Sequence, residues 1–389
     1  MRLLVLGGSH AEVPLVEAAR ELGCYVATLG SDPNGHAAQL SDRHFCLDYS
    51  DSRSVMRTFE NNQFDALIPG CNDFAAFSVA EVAEDLGLEG YDSVWQTEQL
   101  HHKNQLRALC ERLEVPVPRS IVVTDHSTSW INEIQQLRFP LLVKPIDLTG
   151  GKGIKKCASD EEVSSAIESA LSVSRRKQVV IEEFAVGQLR SACFFVYGGV
   201  PKLLTHADEY MYKDPFLVAS ALVPSDVPES RLNSVTVHVS RICTELQLPD
   251  GILHLQYISS DLSDVFIEMC RRPPGDLYIA LPTLFAQDSI AGRIVKSALG
   301  ISVDCSSPTE ALPNTLRVCL MLDYDALGER WSISPELAEW TVITVDLSTS
   351  NTAHQTSPAE KVGIVIAQCE SREPLLQYAR FEKQSLVFG

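Results

Sequence analysis

The chain opens on a short apolar run, Arg2 to Leu6, that enters a Gly7-Gly8-Ser9 turn and continues in a helical pattern through Val13, Val16, Ala19 and Leu22. A second apolar run, Tyr25 to Leu29, follows almost at once. Strand, turn, helix and strand in so few residues leave one economical topology, two parallel strands joined by a right-handed crossover. The pattern recurs with Ala66 to Pro69 as a buried strand and Asn72 to Leu86 as a helix, which predicts a doubly wound parallel-sheet domain over residues 1–97. The Gly7-Gly8 turn has two readings. Its free N–H groups can meet an anion at a helix N-terminus, or it is simply a tight βα turn.

Beyond this opening the organisation changes. A helix is expected from Glu98 through Lys103, Leu106 and Leu109 to the break at Val115-Pro116-Val117-Pro118, because a proline pair ends a helix and starts an extended segment. A strand (Ser120 to Val123), a helix (Ser129 to Leu137), a strand (Leu141 to Pro145), a glycine-rich loop, a helix (Asp160 to Ser172) and a strongly apolar strand (Gln178 to Glu182) follow. Residues 192–268 read as strands around one long helix, Glu229 to Leu246, and after about residue 300 short β-like runs at Arg317 to Leu322, Trp340 to Val345 and Val362 to Gln368 predict a β-rich C-terminal module, 301–389. The fold class is therefore α/β and α+β: a parallel-sheet unit, a central unit of two α+β subdomains, and the small β-rich module. With 389 residues, several cores are expected rather than one.

The formal net charge of -19 disfavours a nucleic-acid partner, although a few local cations still suffice for a small polyphosphate. No apolar stretch approaches the length of a membrane span, and the N-terminal run lacks the longer apolar region and cleavage site of a secretory leader. Eleven cysteines without a CxxC pair read as reduced thiols in a cytoplasmic protein, with no support for a zinc site.

The most informative segment is Leu141-Leu-Val-Lys144-Pro-Ile-Asp-Leu-Thr-Gly150-Gly151-Lys152-Gly153. A lysine ending a buried strand, followed at once by a glycine loop, sets an ammonium and several backbone N–H groups around one polyphosphate. Glycine lets such a loop close by tolerating positive φ. The spacing is not that of GxxxxGK[ST]. Taken alone, the segment is equally a glycine-rich hairpin with an exposed lysine.

Three further segments stand in order around it: Lys103, then Val179-Val-Ile-Glu182-Glu183-Phe184-Ala185, then Phe266-Ile-Glu268-Met-Cys270-Arg-Arg272-Pro-Pro-Gly275-Asp276. With them the chain resembles the ATP-grasp superfamily, in the branch of carbamoyl phosphate synthetase, phosphoribosylglycinamide synthetase and amino-acid ligases. The resemblance covers about residues 1–300. It implies an ATP-grasp domain over 98–300 with a lid subdomain at about 118–184, ATP and Mg²⁺ as cofactors, and formation of an acyl phosphate from a small carboxylate, attacked by an amine. It implies that Lys103, Lys144, Gly150, Gly151, Lys152 and Gly153 meet the phosphates, and that Glu182, Glu183, Phe184 and Ala185 form the adenine hinge. It further implies that Glu268 and Gln256 hold metal and that Arg272 and Lys144 steady the transferring phosphoryl group. A small-molecule carboxylate and amine, and a homodimer, are the partners implied.

Departures accompany the resemblance. The family usually has Glu where this chain has Gln256 and Asn where it has Cys270, and Gly187-Gln188-Leu189-Arg190 offers no ribose-binding Glu. Loss of one negative charge at Gln256 weakens a second metal ion, and a thiol is a poor ligand for a hard cation. His206, Asp208 and Glu209 are read either as part of the pocket or as a surface loop, and Tyr212 and Lys213 as an extension of the same polar cluster. A carboxylating or purine-pathway ligase, and a nucleotide-binding protein with a decayed metal site, remain as alternatives.

Overall fold

The structure is a computed structural model, and it describes residues 1–124, 130–148, 150–283, 289–303, 313–326, 330–347 and 359–388. Strands β1 (Arg2–Leu6), β2 (Tyr25–Gly30), β3 (Arg43–Cys46) and β4 (Ala66–Pro69) form a parallel sheet in the order β3-β2-β1-β4. Residues Leu3 to Leu6 are fully buried because helices cover both faces: Leu3 and Val5 face one core, Leu4 and Leu6 another. The helix Asp73–Leu86 starts where Asn72 accepts from Phe74 N–H and stops at Gly87, whose φ of 64° is the usual left-handed end.

The next layer is a four-stranded antiparallel sheet of β5 (Ser120–Val123), β6 (Leu141–Pro145), β7 (Lys155–Cys157) and β8 (Val179–Glu183), ordered β5-β8-β6-β7. The helices Trp130–Ile134 and Asp160–Val173 cover its apolar face. The start of the expected helix at Ser129, and Thr149 in the glycine loop, lie outside the described residues.

The large sheet takes eight strands: β9 (Gln188–Tyr197), β10 (Val200–Met211), β11 (Val218–Val223), β12 (Gly251–Ser259), β13 (Asp264–Cys270), β14 (Thr315–Asp323), β16 (Thr341–Asp346) and β17 (Ala359–Gln368), while β15 (Trp331–Ile333) pairs with β18 (Leu386–Phe388). Its order is β13-β12-β9-β10-β11-β14-β17-β16, so three strands from beyond residue 300 continue the sheet past β11. Strand β9 is buried on both faces, with Phe194 and Val196 against the helix Glu229–Leu246 and Cys193 and Phe195 in the core shared with the N-terminal sheet.

One expected helix is two. The run from Glu98 breaks at His102, which is extended (φ -85°, ψ 122°), giving Val94–His101 and Lys103–Arg112. Apolar spacing continues through the break and neither Gly nor Pro marks it. The cause is tertiary: the His102 ring stacks on Phe77 at 4.9 Å, and Lys103 N–H donates to Ile146 O. Among the described residues every cysteine is a free thiol and no helix is long and apolar enough to cross a membrane.

Candidate active site

A cavity of about 480 Å³ opens between the four-stranded sheet and the large sheet. Lys103, Lys144, Gly150, Gly151, Glu182, Phe184, Ala185, Gln256, Glu268 and Arg272 all line it. Four segments spread over 170 residues of sequence therefore meet at one place. Lys152, Gly153 and Glu183 are outside the lining; Glu183 accepts from Arg138 N–H at 3.0 Å, and Gly153 lies against Pro145 and Val173.

The two lysines are held differently. Lys103 begins a helix, its Nζ donates to Leu148 O at 2.8 Å, and it stands 3.7 Å from Glu268 Oε1. Lys144, next to last in β6, pairs with Glu182 of the neighbouring β8. Glu182 also accepts from Arg107 Nε and Nη2, the latter at 2.8 Å. Burial opposes ionisation of Glu182, yet Arg107 and Lys144 together hold its carboxyl down at about 2. Glu182 thus faces the cavity as an anion already paired with two cations. At the hinge, Phe184 N–H is taken by Pro140 O, and the Phe184 ring receives the Lys156 ammonium at 3.7 Å.

In the loop above the lysines, Gly150 and Gly151 have φ of 65° and 74°, and a Cβ on Gly151 would lie 2.8 Å from Phe216 O. Both facts require glycine there: the backbone is left-handed, and the loop lies against the segment after β10.

Across the cavity, Gln256 and Glu268 sit opposite each other on β12 and β13. Gln256 Nε2 donates to Glu209 Oε2 at 2.6 Å. Glu209 lines the cavity, and burial pushes its carboxyl above the ordinary range. Among the described residues no three His, Cys, Asp or Glu side chains converge as a metal cage. Mg²⁺ ordinarily takes one or two protein ligands and completes its octahedron with phosphate oxygens and water, so Glu268 with the Gln256 amide oxygen fits one such ion. Cys270 does not extend the set: burial pushes its thiol up to about 12, and Sγ points to Arg272 O.

The Arg-Arg pair after β13 divides its tasks. Arg271 is tied to Asp92, Ile252 O and Pro249 O, a purely internal anchor. Arg272 lines the cavity and donates through Nε to Asp73 Oδ1 at 2.6 Å. Asp73 begins the helix after β4, and although burial opposes its charge, Arg272 and His101 hold its carboxyl well below the usual range.

Of the other polar residues in the strand β10 region, the pleat separates neighbours. Glu209 faces the cavity, whereas Asp208 is buried with Arg190, Ser225 and Arg372. His206 is outside the lining, and Tyr212 and Lys213 both bond Asp323. The Gly7-Gly8 turn is filled by the chain itself. The Glu12 carboxylate accepts from Ser9 N–H at 2.8 Å and Cys71 N–H at 2.9 Å, occupying the anion position.

Sequence reasoning missed Arg107, Asp73 and Arg317. Arg107 stands one helical turn after Lys103, so the two share a face, a spacing that was available to read. Arg317 interrupts the apolar run Leu316 to Leu322; it is buried, lines the cavity, and its Nη1 lies 4.0 Å from Asp276 Oδ2. Asp73 carried no local signal, since its partner is 199 positions away.

The profile of the phosphoribosylglycinamide synthetase ATP-grasp (A) domain matches residues 101–213. The formate-dependent phosphoribosylglycinamide formyltransferase of Prochlorococcus marinus (strain MIT 9515) is 23% identical over 283 residues, covering 70% of each chain. The crystal structure of L-amino acid ligase from Bacillus licheniformis superposes with a TM-score of 0.78 at 16% identity, over 100% of this chain and 98% of that one. The biotin carboxylase domain of the 2-oxoglutarate carboxylase of Hydrogenobacter thermophilus, in complex with MgADP, ADP and bicarbonate, gives 0.80 at 14% identity, over 100% and 90%. Profile, relative and fold agree with the ordered segments that meet in the cavity: residues 101–213 match an ATP-grasp domain, and the whole chain has the fold of the ligase and carboxylase structures on which it superposes.

Proposed function

We propose that the chain is an ADP-forming ligase that phosphorylates a small carboxylate with ATP and couples it to an amine, an amino acid being the carboxylate we favour. The observation that carries this reading is the meeting of Lys103, Lys144, Gly150, Gly151, Glu268 and Arg272 in one cavity. The Lys144 and Lys103 ammonium groups would face the phosphates, and the left-handed glycines would let the loop fold over them and exclude water. Glu268 and the Gln256 amide oxygen would hold Mg²⁺, which neutralises phosphate charge when bound. Arg272, kept in place by Asp73, would meet the γ-phosphoryl group.

The chemistry then needs little more than placement. A carboxylate oxygen attacks the γ-phosphorus, forming an O–P bond as the bond to the ADP oxygen breaks. The amine attacks the acyl carbon, phosphate leaves, and the amine proton passes to solvent or phosphate. Arg317, a buried cation in the lining besides Lys103 and Lys144, supports a negatively charged carbon substrate beyond the phosphates.

A purine-pathway or carboxylating ligase is the second reading, favoured by the relatives that match. ADP release is measured with amino acids, formate, bicarbonate and phosphoribosyl amines as paired substrates, then with Lys144→Ala and Glu268→Ala. Turnover with one pair, lost in both variants, supports a ligase and names its class. Tight ATP binding with no turnover on any pair refutes it in favour of a nucleotide-binding protein.

A further inference from the structure

A carboxamide is two-faced where a carboxylate is not: one end accepts hydrogen bonds and attracts cations, while the other donates and repels them. Gln256 stands directly across from Glu268. If its NH₂ turned to Glu268, the two side chains would satisfy each other and no seat for a cation would remain. If its carbonyl oxygen turned there, two oxygens would face one point. The orientation of one amide therefore decides what the pair can hold.

That orientation is set from two strands away. Glu209, on β10, reaches past β9 to β12, where its Oε2 accepts from Gln256 Nε2 at 2.6 Å. Glu209 is only 3% exposed, so it has no solvent alternative. Among the described contacts Gln256 makes no hydrogen bond to Glu268. With Nε2 committed to Glu209, Oε1 is the end left for the cavity.

We propose that Glu209 is a positioning residue that locks the Gln256 carboxamide with its oxygen toward Glu268, so that a two-oxygen seat for a divalent cation survives the exchange of Glu for Gln on β12. The proposal rests on the nucleotide-and-metal reading of this cavity. It accounts for two features together: an amide on β12, and a buried carboxylate on β10 that forms no ion pair among the described residues, although the Arg317 charge and Ser191 act on it. Partners that orient metal ligands commonly affect affinity as strongly as the ligands do.

The probe is Mn²⁺, titrated by electron paramagnetic resonance against the full chain with saturating ADP and a nucleotide-only blank. Glu209→Met removes the acceptor at nearly constant volume and is expected to weaken Mn²⁺ binding about 10- to 100-fold. Glu209→Gln still offers an acceptor oxygen and should stay near the parent. Glu209→Met/Gln256→Glu needs no orienting partner, because both carboxylate oxygens accept, and should regain most of the loss. Gln256→Met keeps Glu209 but removes the ligand oxygen, so it must bind at least as weakly as Glu209→Met; this arm decides the matter if Glu209→Met fails to fold. The proposal is overturned if Glu209→Met or Gln256→Met binds Mn²⁺ like the parent, if the double variant is no tighter than Glu209→Met, or if Glu209→Gln falls as far as Glu209→Met. Equal Mn²⁺ binding by the parent and Glu268→Ala would instead remove the underlying metal reading. With Glu268 needed in the parent, that reading stands whichever way Glu209 behaves.

Discussion

Replacing Arg107 by Met tests what holds the cavity's two walls together. Arg107 is buried, bonds Glu182 on β8 through Nε at 3.2 Å and Nη2 at 2.8 Å, and donates from Nη2 to Ile267 O on β13 at 3.0 Å. At an effective dielectric near 20, opposite charges at that separation attract by on the order of 6 kcal/mol before desolvation. Removing one member of a buried pair generally costs about 3–5 kcal/mol, since the survivor keeps its desolvation penalty. Lys144 still faces Glu182, so R107M is expected near the lower end, about 3 kcal/mol. E182Q, which leaves two cations around a neutral amide, should cost a similar amount. In R107M/E182Q the stranded anion is gone, so the double loss should fall short of the sum of the singles by about 2 kcal/mol or more. Urea unfolding followed by Trp130 fluorescence measures this, with Trp95, Trp331 and Trp340 changed to Phe, because Trp130 is packed in the core that contains β6 and β8. Additive losses within about 0.5 kcal/mol would refute the account of Glu182 as an anion held by Arg107.

Three more outcomes are expected. Burial, and next the nearby Arg176, lowers the His102 imidazole to about 4 against the opposing pull of Glu98, so the folded chain binds fewer protons than the unfolded one between about pH 6.5 and 4. Stability from this group is complete above pH 6.5 and lost as pH falls, so the drop in unfolding free energy from pH 7.5 to 5 should be about 2 kcal/mol smaller in His102→Asn; identical pH dependence would count against it. Asp73→Asn leaves the mostly buried Arg272 without its carboxylate and should destabilise by about 3 kcal/mol in thermal unfolding, whereas a surface-like change below about 0.5 kcal/mol would sink the pairing argument. Gly151→Ala, at φ 74° and facing Phe216 O, should reduce ADP release about tenfold or more with little change in the unfolding midpoint of the large sheet; unchanged turnover would argue against loop closure.

Much of the architecture was legible because burial on two faces writes itself as apolar runs: Arg2 to Leu6, Ala66 to Pro69 and Leu141 to Pro145 were read to the residue. Short β3 was not, since Arg43 to Cys46 is half exposed and has no apolar run. The break at His102 escaped for another reason: it is made by Phe77 and Ile146, which no local pattern contains. The cavity's charged lining was half visible. Lysines and acids next to glycines or strand ends announce themselves, whereas Asp73 and Arg317 matter through partners folded in from far along the chain. At Gly7-Gly8 the glycine pattern left an anion site and a plain βα turn both open, and packing decides for the turn, with the Glu12 carboxylate accepting from Ser9 and Cys71 N–H.

The joining of β14 to β11 bears on any attempt to shorten this protein. Cut before Thr315, β11 would lose its outer neighbour, and backbone donors and acceptors along Ser220 to Val223 would face water beside side chains that are now sealed in. Such a raw border recruits other chains, so a fragment ending there is expected to clump rather than work as a smaller enzyme.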